Sequence, residues 1–346
     1  MRKRPYIIID EQIPYLEGIT QQHAQIERLP YPMIVTERVR KADALLIRTR
    51  TRCSACLLTG SPVSFIGSPA IGTDHIDLDY CASAGIKVVN APGCNAGAVV
   101  QYVFTSLVMC AALKGIDLCG KSMGIIGVGN VGSKVTRLAK QLGMKLLLND
   151  PPRALAEGSQ GFCELNYLLK HADVVTLHVP LDPSTQGMAG SDFFANMQEG
   201  ACFINTSRGG VVDERALRSA VTRLGGIVLD VWQGEPDICV ETLKTTDIAT
   251  PHIAGYSVEG KRNASQTVVR ALAAHFDWKD LLEYTVDLPP ACHVPAHLLF
   301  KQCFPIMEED ERLRKAPERF EEHRNNYIFR REWTPEQYKR LNLCTL

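Results

Sequence analysis

Three residue types that together can grip a carboxylate and move a proton follow one another in the second half of this chain. They are Arg208 in Asn205-Thr206-Ser207-Arg208-Gly209-Gly210, Glu235 in Asp230-Val231-Trp232-Gln233-Gly234-Glu235-Pro236, and His252 after Thr250-Pro251. A guanidinium offers paired donors in the plane a carboxylate needs. An imidazole titrates near neutrality and can exchange a hydroxyl proton, and a carboxylate beside it orients the ring and favours its charged form. This is the equipment for reversible oxidation of a 2-hydroxy acid: Arg208 holds the carboxylate and polarises the developing carbonyl, His252 carries the proton, and Glu235 orients His252. Asp230 suits the nicotinamide end of a cofactor. Taken singly, such residues are ordinarily a surface arginine, a turn glutamate and a packed core histidine. What they share is position, each just past an expected strand (202–204, 227–229 and the 247–251 segment), on the rim where open α/β sheets bind ligands.

The hydride carrier has its own signature. Gly127-Val128-Gly129-Asn130-Val131-Gly132 follows an expected strand at 123–126 and opens a helix with Val131, Val135, Leu138, Ala139 and Leu142 on one face. Glycines there allow a tight turn and close backbone approach to a pyrophosphate, whose charge the helix N-terminus stabilises. The next strand, 145–148, ends in Asn149-Asp150, placing a carboxylate where it can accept from ribose hydroxyls, so NAD is expected. Arg153 keeps NADP open as an alternative.

The elements that must position these residues read as α/β throughout. Expected strands at 6–9, 44–47, 64–66 and 86–89 alternate with helix-like stretches, so residues 1–94 form a first parallel sheet with helices on its faces. A long apolar helix from Asn95 to about Leu113 connects to a second series with strands at 123–126, 146–148, 174–177, 202–204 and 227–229. From about residue 288 the chain turns charged and aromatic and reads as a small third module, with Phe320, Tyr327, Phe329 and Trp333 offering apolar surface to a partner subunit. Lys plus Arg and Asp plus Glu each total 38, so no net field draws in nucleic acid or an anionic membrane. No signal peptide or membrane-spanning stretch is evident, and a cytoplasmic protein is expected. The twelve cysteines read as small buried hydrophobes rather than disulfides. Cys53 and Cys56 form a lone CxxC without a second pair, so no metal site is expected.

On the motifs GVGNVG, NTSRGGVVD, LDVWQGEP and TPHIAGYS, spanning residues 121–257, the chain resembles the D-isomer-specific 2-hydroxy acid dehydrogenases. The resemblance implies a Rossmann NAD-binding domain (95–252) inserted in a flavodoxin-like substrate domain (1–94, with a return segment over 253–288). IGTDHIDLD at 71–79, NAPGCNAGAVVQYVF at 90–104, NDPPR at 149–153 and HIAGYSVEGK at 252–261 point to a branch acting on a small phosphorylated 2-hydroxy acid. NNYIFRREW at 325–333 resembles that branch's C-terminal dimerisation domain (289–346), which implies a homodimer. Carried over residue by residue, the family's NAD contacts fall on Asn130, Val131, Asp150, Thr206, Ser207, Asp230 and Gly255, and its substrate contacts on Thr49 and Tyr256. For the substrate phosphate the obvious cations are Arg48, Arg50 and Arg52, with Arg330 or Arg331 as candidates to complete a neighbouring subunit's site. A 3-phosphoglycerate or glyoxylate/hydroxypyruvate dehydrogenase, and a non-catalytic NAD-sensing corepressor on the same fold, remain open at this point.

Overall fold

Runs of β-branched and aliphatic residues buried on both faces produce the two parallel sheets that organise the chain. In the computed structural model, which describes residues 4–291, 294–295 and 298–343, the first sheet contains β1 (Tyr6–Asp10), β2 (Gln25–Leu29), β3 (Ala44–Leu46), β4 (Phe65–Gly67) and β5 (Lys87–Val89). Its order is β2-β1-β3-β4-β5 with every pairing parallel, the flavodoxin-like order. The Val258–Phe276 helix covers one face, packing Val268, Val269, Leu272 and Ala273 against Ile7, Ile9, Ala44, Leu46 and Phe65.

The second sheet contains β6 (Ser122–Ile126), β7 (Lys145–Asn149), β8 (Val174–Leu177), β9 (Cys202–Asn205), β10 (Gly226–Leu229) and β11 (Ile248–Ala249), in the order β11-β10-β9-β8-β6-β7 and again all parallel. The order reverses between β6 and β8, creating the switch point at which such sheets bind nucleotides. Each expected strand is present to within two residues. One is additional: β2 is a half-exposed edge strand of sequence QIERL that offers no apolar run to read, while β11 occupies two residues of the expected 247–251 segment.

The chain divides into two compact units: Met1–Asn95 with Val258–Pro290, and Ala96–Ser257 with Ala291–Leu346. The C-terminal stretch, expected as a module of its own, packs within the second unit. The aromatics expected to face a partner explain why: Phe320, Tyr327 and Trp333 are buried in this chain's own core, Tyr327 and Trp333 in the cluster built on the Ala96–Lys114 helix. Asp310, on the Ile306–Lys315 helix, accepts from the backbone N–H of Ala249 at 2.7 Å and so caps the free edge of β11. Ile328 is the apolar residue of this stretch left 89 % exposed.

One further expectation is corrected, that of the cysteines, and the reading of the long apolar helix is refined. The Ala96–Lys114 helix is long and apolar enough to cross a membrane, but 83 % of its most apolar 18-residue window is buried, as a core helix covering β9 and β10 must be. Nine described cysteines are free, while Cys119, exposed in the turn after that helix, is disulfide-bonded; burial could not argue against a disulfide at an exposed position. Among the described residues no cluster could hold a metal ion.

Candidate active site

β6 runs straight into the glycine turn, and each glycine answers a different demand. Gly127 has φ +84°, a conformation that penalises any side chain, and a Cβ on it would lie 2.6 Å from the carbonyl oxygen of His178. A Cβ on Gly132 would lie 2.0 Å from the Gly127 carbonyl oxygen, so the Asn130–Gln141 helix can start only because that side chain is absent. Gly129 is the contrary case: nothing lies within 4 Å of its would-be Cβ. The turn thus leaves open space at the N-terminus of a twelve-residue helix, which is where a pyrophosphate sits.

Asp150, just past β7, caps the next helix through Arg153 N–H (3.0 Å) and accepts from Val128 N–H (2.7 Å). Its carboxylate is therefore fixed at the turn, with lone pairs left for hydroxyl donors. Arg153 is pinned by both Glu157 oxygens and donates to the Val128 carbonyl at 2.6 Å. The fixed Asp150 carboxylate would meet a 2′-phosphate with like charge, which favours NAD over NADP. A cavity of about 310 Å³ lined by Asn149, Asp150, Pro151, Phe162 and Cys163 adjoins the carboxylate. The backbone and side chains present fit a dinucleotide.

Two histidines reach the rim of the second sheet, and their surroundings decide between them. His178, which sequence reasoning passed over although it directly follows β8, has Nε2 3.1 Å from Thr176 Oγ1 and Nδ1 3.5 Å from Thr206 Oγ1. Part of the residue reaches the surface, but desolvation of the ring pushes its pKa down to about 3, so it stays neutral. His252 instead has its Nδ1 2.7 Å from Glu235 Oε2. Both side chains remain partly open, at 26 % and 20 % exposure, so a substrate can reach the ring. Burial alone would raise the Glu235 carboxyl. The hydrogen bond and charge of His252, the Trp232 N–H at 2.9 Å and the charge of Arg324 outweigh it and hold the group below the usual carboxylate value. The ring has a permanent anionic partner.

The Arg208 loop is locked against the loop that carries Glu235. Asn205 receives Ser207 N–H and Oγ–H and donates to the Arg208 carbonyl. A Cβ on Gly209 would lie 1.9 Å from the Trp232 carbonyl oxygen, so only glycine permits this approach. Asp230 is spoken for: fully buried at the end of β10, it accepts from Thr250 Oγ1 and Ile253 N–H at 2.7 Å and from Ala254 N–H at 2.9 Å. Its observed work is to hold the loop that follows His252, while burial raises its pKa against the lowering charge of His252.

In the first unit, exposed Thr49 and half-buried Arg48 follow β3, and Arg48 Nε lies 3.0 Å from Oδ2 of the buried Asp10, in a contact whose N–H is not aimed along the line. Tyr256 belongs to the second unit; its hydroxyl accepts from Arg324 Nε at 3.1 Å, and its ring packs against Tyr327 and Phe329. Arg324 was missed at the sequence level because nothing in a charged helix distinguishes it. Arg330, expected to reach a neighbouring subunit, is 7 % exposed and fully engaged inside its own chain. Gly255, Thr206 and Ser207 stand at the rim of the second sheet, on the loops after β11 and β9.

Residues 105–254 match the family described as D-isomer specific 2-hydroxyacid dehydrogenase, NAD binding domain. An erythronate-4-phosphate dehydrogenase of Bacteroides thetaiotaomicron is 42 % identical over 94 % of this chain and 97 % of its own, and one of Escherichia fergusonii is 37 % identical over 95 % and 92 %. Among solved structures, a D-lactate dehydrogenase of Aquifex aeolicus, complexed with NAD and lactic acid, superposes with a TM-score of 0.67 at 25 % identity, over 83 % of this chain and 100 % of that one. A glyoxylate reductase of similar fold is 22 % identical, a likeness of fold alone. With similarity running over nearly its whole length, the chain belongs to the erythronate-4-phosphate dehydrogenase family within the NAD-dependent, D-isomer-specific 2-hydroxyacid dehydrogenases.

Proposed function

We propose that this enzyme oxidises 4-phospho-D-erythronate to 2-oxo-3-hydroxy-4-phosphobutanoate, a step of pyridoxal phosphate biosynthesis, and works in the cytoplasm as a homodimer. The substrate reading rests on the relatives' names and extent of similarity. The mechanistic reading rests on one observation, the 2.7 Å contact between His252 and Glu235. When bound, NAD supplies the acceptor for the hydride leaving C2.

His252 takes the C2 hydroxyl proton through Nε2, the nitrogen that faces away from Glu235, while Glu235 holds the ring and balances the charge it gains. Arg208 grips the substrate carboxylate and stabilises the oxygen that becomes the ketone. Gly127, Gly129, Asn130, Val131 and Gly132 cradle the pyrophosphate, Asp150 takes the ribose hydroxyls, and Thr206, Ser207, Asp230 and Gly255 lie toward the nicotinamide. Thr49, Tyr256 and Arg48 contact the substrate, Arg48 at the phosphate.

A steady-state assay following reduced nicotinamide tests the reading, with 4-phospho-D-erythronate against 3-phosphoglycerate and glycolate. Preference for either competitor would overturn the substrate, and NAD binding without turnover of any of them would overturn the enzyme. For the phosphate contact, Arg48→Ala should raise KM for the phosphorylated substrate about tenfold and leave dephosphorylated erythronate unaffected, one lost charge-assisted contact being worth roughly 1.5 kcal/mol. Equal losses on both substrates remove Arg48 from phosphate binding.

A further inference from the structure

We propose that Arg330, near the C-terminus, is a positioning residue for the proton carrier: it fixes the loop after His252 by gripping its carbonyls while Asp230 grips its N–H groups. The guanidinium donates from Nη1 to the carbonyls of Ile253 (3.1 Å) and Tyr256 (3.0 Å) and to Tyr327 Oη (3.2 Å). From Nη2 it donates to the carbonyls of Ala254 (2.5 Å) and Ala98 (2.9 Å), and from Nε to Gln101 Oε1 (3.2 Å). The Phe304 ring centroid lies 4.2 Å from its central carbon.

Among the described residues no carboxylate contacts this buried cation. Its complement is Asp230, which receives the N–H groups of Ile253 and Ala254, the same two residues whose carbonyls Arg330 holds. The peptide dipoles of one short loop are thus strung between a buried anion and a buried cation. A lysine cannot reproduce this, having three donors on a point charge where the arginine presents five in a plane.

The loop needs such restraint. His252 has φ +58°, in the left-handed region that a non-glycine residue occupies only under constraint. The tail is stitched to the same place twice more: Arg330 forms a bridge with Ser257, and Ser257 Oγ donates to Glu332 at 2.7 Å. Glu332 reaches it over Gly97, where a Cβ would lie 2.0 Å from Oε2.

The inference deepens the assignment of His252 as proton carrier and rests on it. Its test compares wild type, Arg330→Met and Arg330→Lys, each as the full chain, by amide hydrogen exchange without cofactor and by kinetics with NAD and 4-phospho-D-erythronate. Exchange at residues 253–257 should rise at least tenfold in both variants while the β6–β10 amides keep their protection. kcat should fall ten- to a hundredfold with substrate KM within about threefold, and the acid limb of kcat against pH should depart from its wild-type position as Glu235 loses its hold on the ring. Wild-type loop exchange and an unmoved pH limb, even with a lowered Tm, overturn the proposal and leave Arg330 a packing residue. Should Arg330→Met not fold, Arg330→Lys decides on the same readouts. A wild-type enzyme inert on all substrates would instead defeat the functional reading, and the exchange result would still judge the clamp.

Discussion

The glycine turn at 127–132 and the loop at 252–256, assigned above to one proposed reaction, are built by opposite means. The turn is made by omission: Gly127 and Gly132 fit because a Cβ would strike a carbonyl oxygen at 2.6 or 2.0 Å, and Gly129 leaves space for a ligand. The loop is made by reinforcement, with a carboxylate on its N–H groups and a guanidinium on its carbonyls. A backbone that must receive an anion needs exposed N–H groups and room. One that must keep a histidine at φ +58° needs its polar groups saturated. The first demand is written in a local hexapeptide, the second in residues about a hundred positions apart.

The sharpest break in this contrast is His252→Ala, which removes the proposed proton carrier and leaves the turn untouched. kcat should fall on the order of 10² to 10⁴-fold while the NAD dissociation constant, read by quenching of intrinsic fluorescence, stays within a factor of two or so. A normal rate would mean that another group carries the proton. Substitutions in the turn should do the reverse and separate its two jobs. Gly129→Ala has a negative φ and open space, so the chain should keep its Tm but bind NAD at least about tenfold more weakly, as one obstructed contact of roughly 1.4 kcal/mol implies. Gly132→Ala forces backbone apart and should cost about 1–3 kcal/mol of stability, seen as a Tm lower by several degrees. Equal effects of the two on Tm would show that Gly129 has no open space, and unchanged NAD affinity in Gly129→Ala would show that the space is not a ligand cradle.

Glu235→Gln is the mildest of these changes. It keeps the shape of the contact and removes its charge, so kcat/KM should drop about tenfold, the worth of one charge–charge contact near 1.4 kcal/mol. The folded chain holds the Glu235 carboxyl below its ordinary value, so the pairing contributes stability in full above the unfolded value near 4.3 and loses it as pH falls through the lower folded value. The variant should therefore lose less stability than wild type on going from pH 7 to acid, measured by urea unfolding. Identical slopes would show that the pairing seen at 2.7 Å does not persist in solution.

What the sequence disclosed follows the same division. Buried parallel strands, the glycine hexapeptide and the placing of His252 beside Glu235 were legible because each strand, turn or strand end is a local pattern with a local cause. Arg330 read as an ordinary charge in a charged tail, and its burial depends on carbonyls some 75 positions earlier that no local pattern displays. Asp230 was legible as a rim residue, but its task of holding residues 253 and 254 appears only when β10 and β11 lie side by side. The tail aromatics were legible as apolar surface. Whether they face a partner or their own chain depends on the Ala96–Lys114 helix, whose apolar residues run all round and can accept them.

The discontinuous first unit imposes an order of events during translation. Ile7, Ile9, Leu46 and Phe65 emerge early, yet the helix that shields them, Val258–Phe276, is made only after the whole intervening unit. At about 5–20 residues per second, that face of the nascent sheet waits roughly 10–40 s for its cover. Over that interval an unshielded parallel sheet is a natural client for chaperones, and it is here that slowed synthesis would be felt as lost yield.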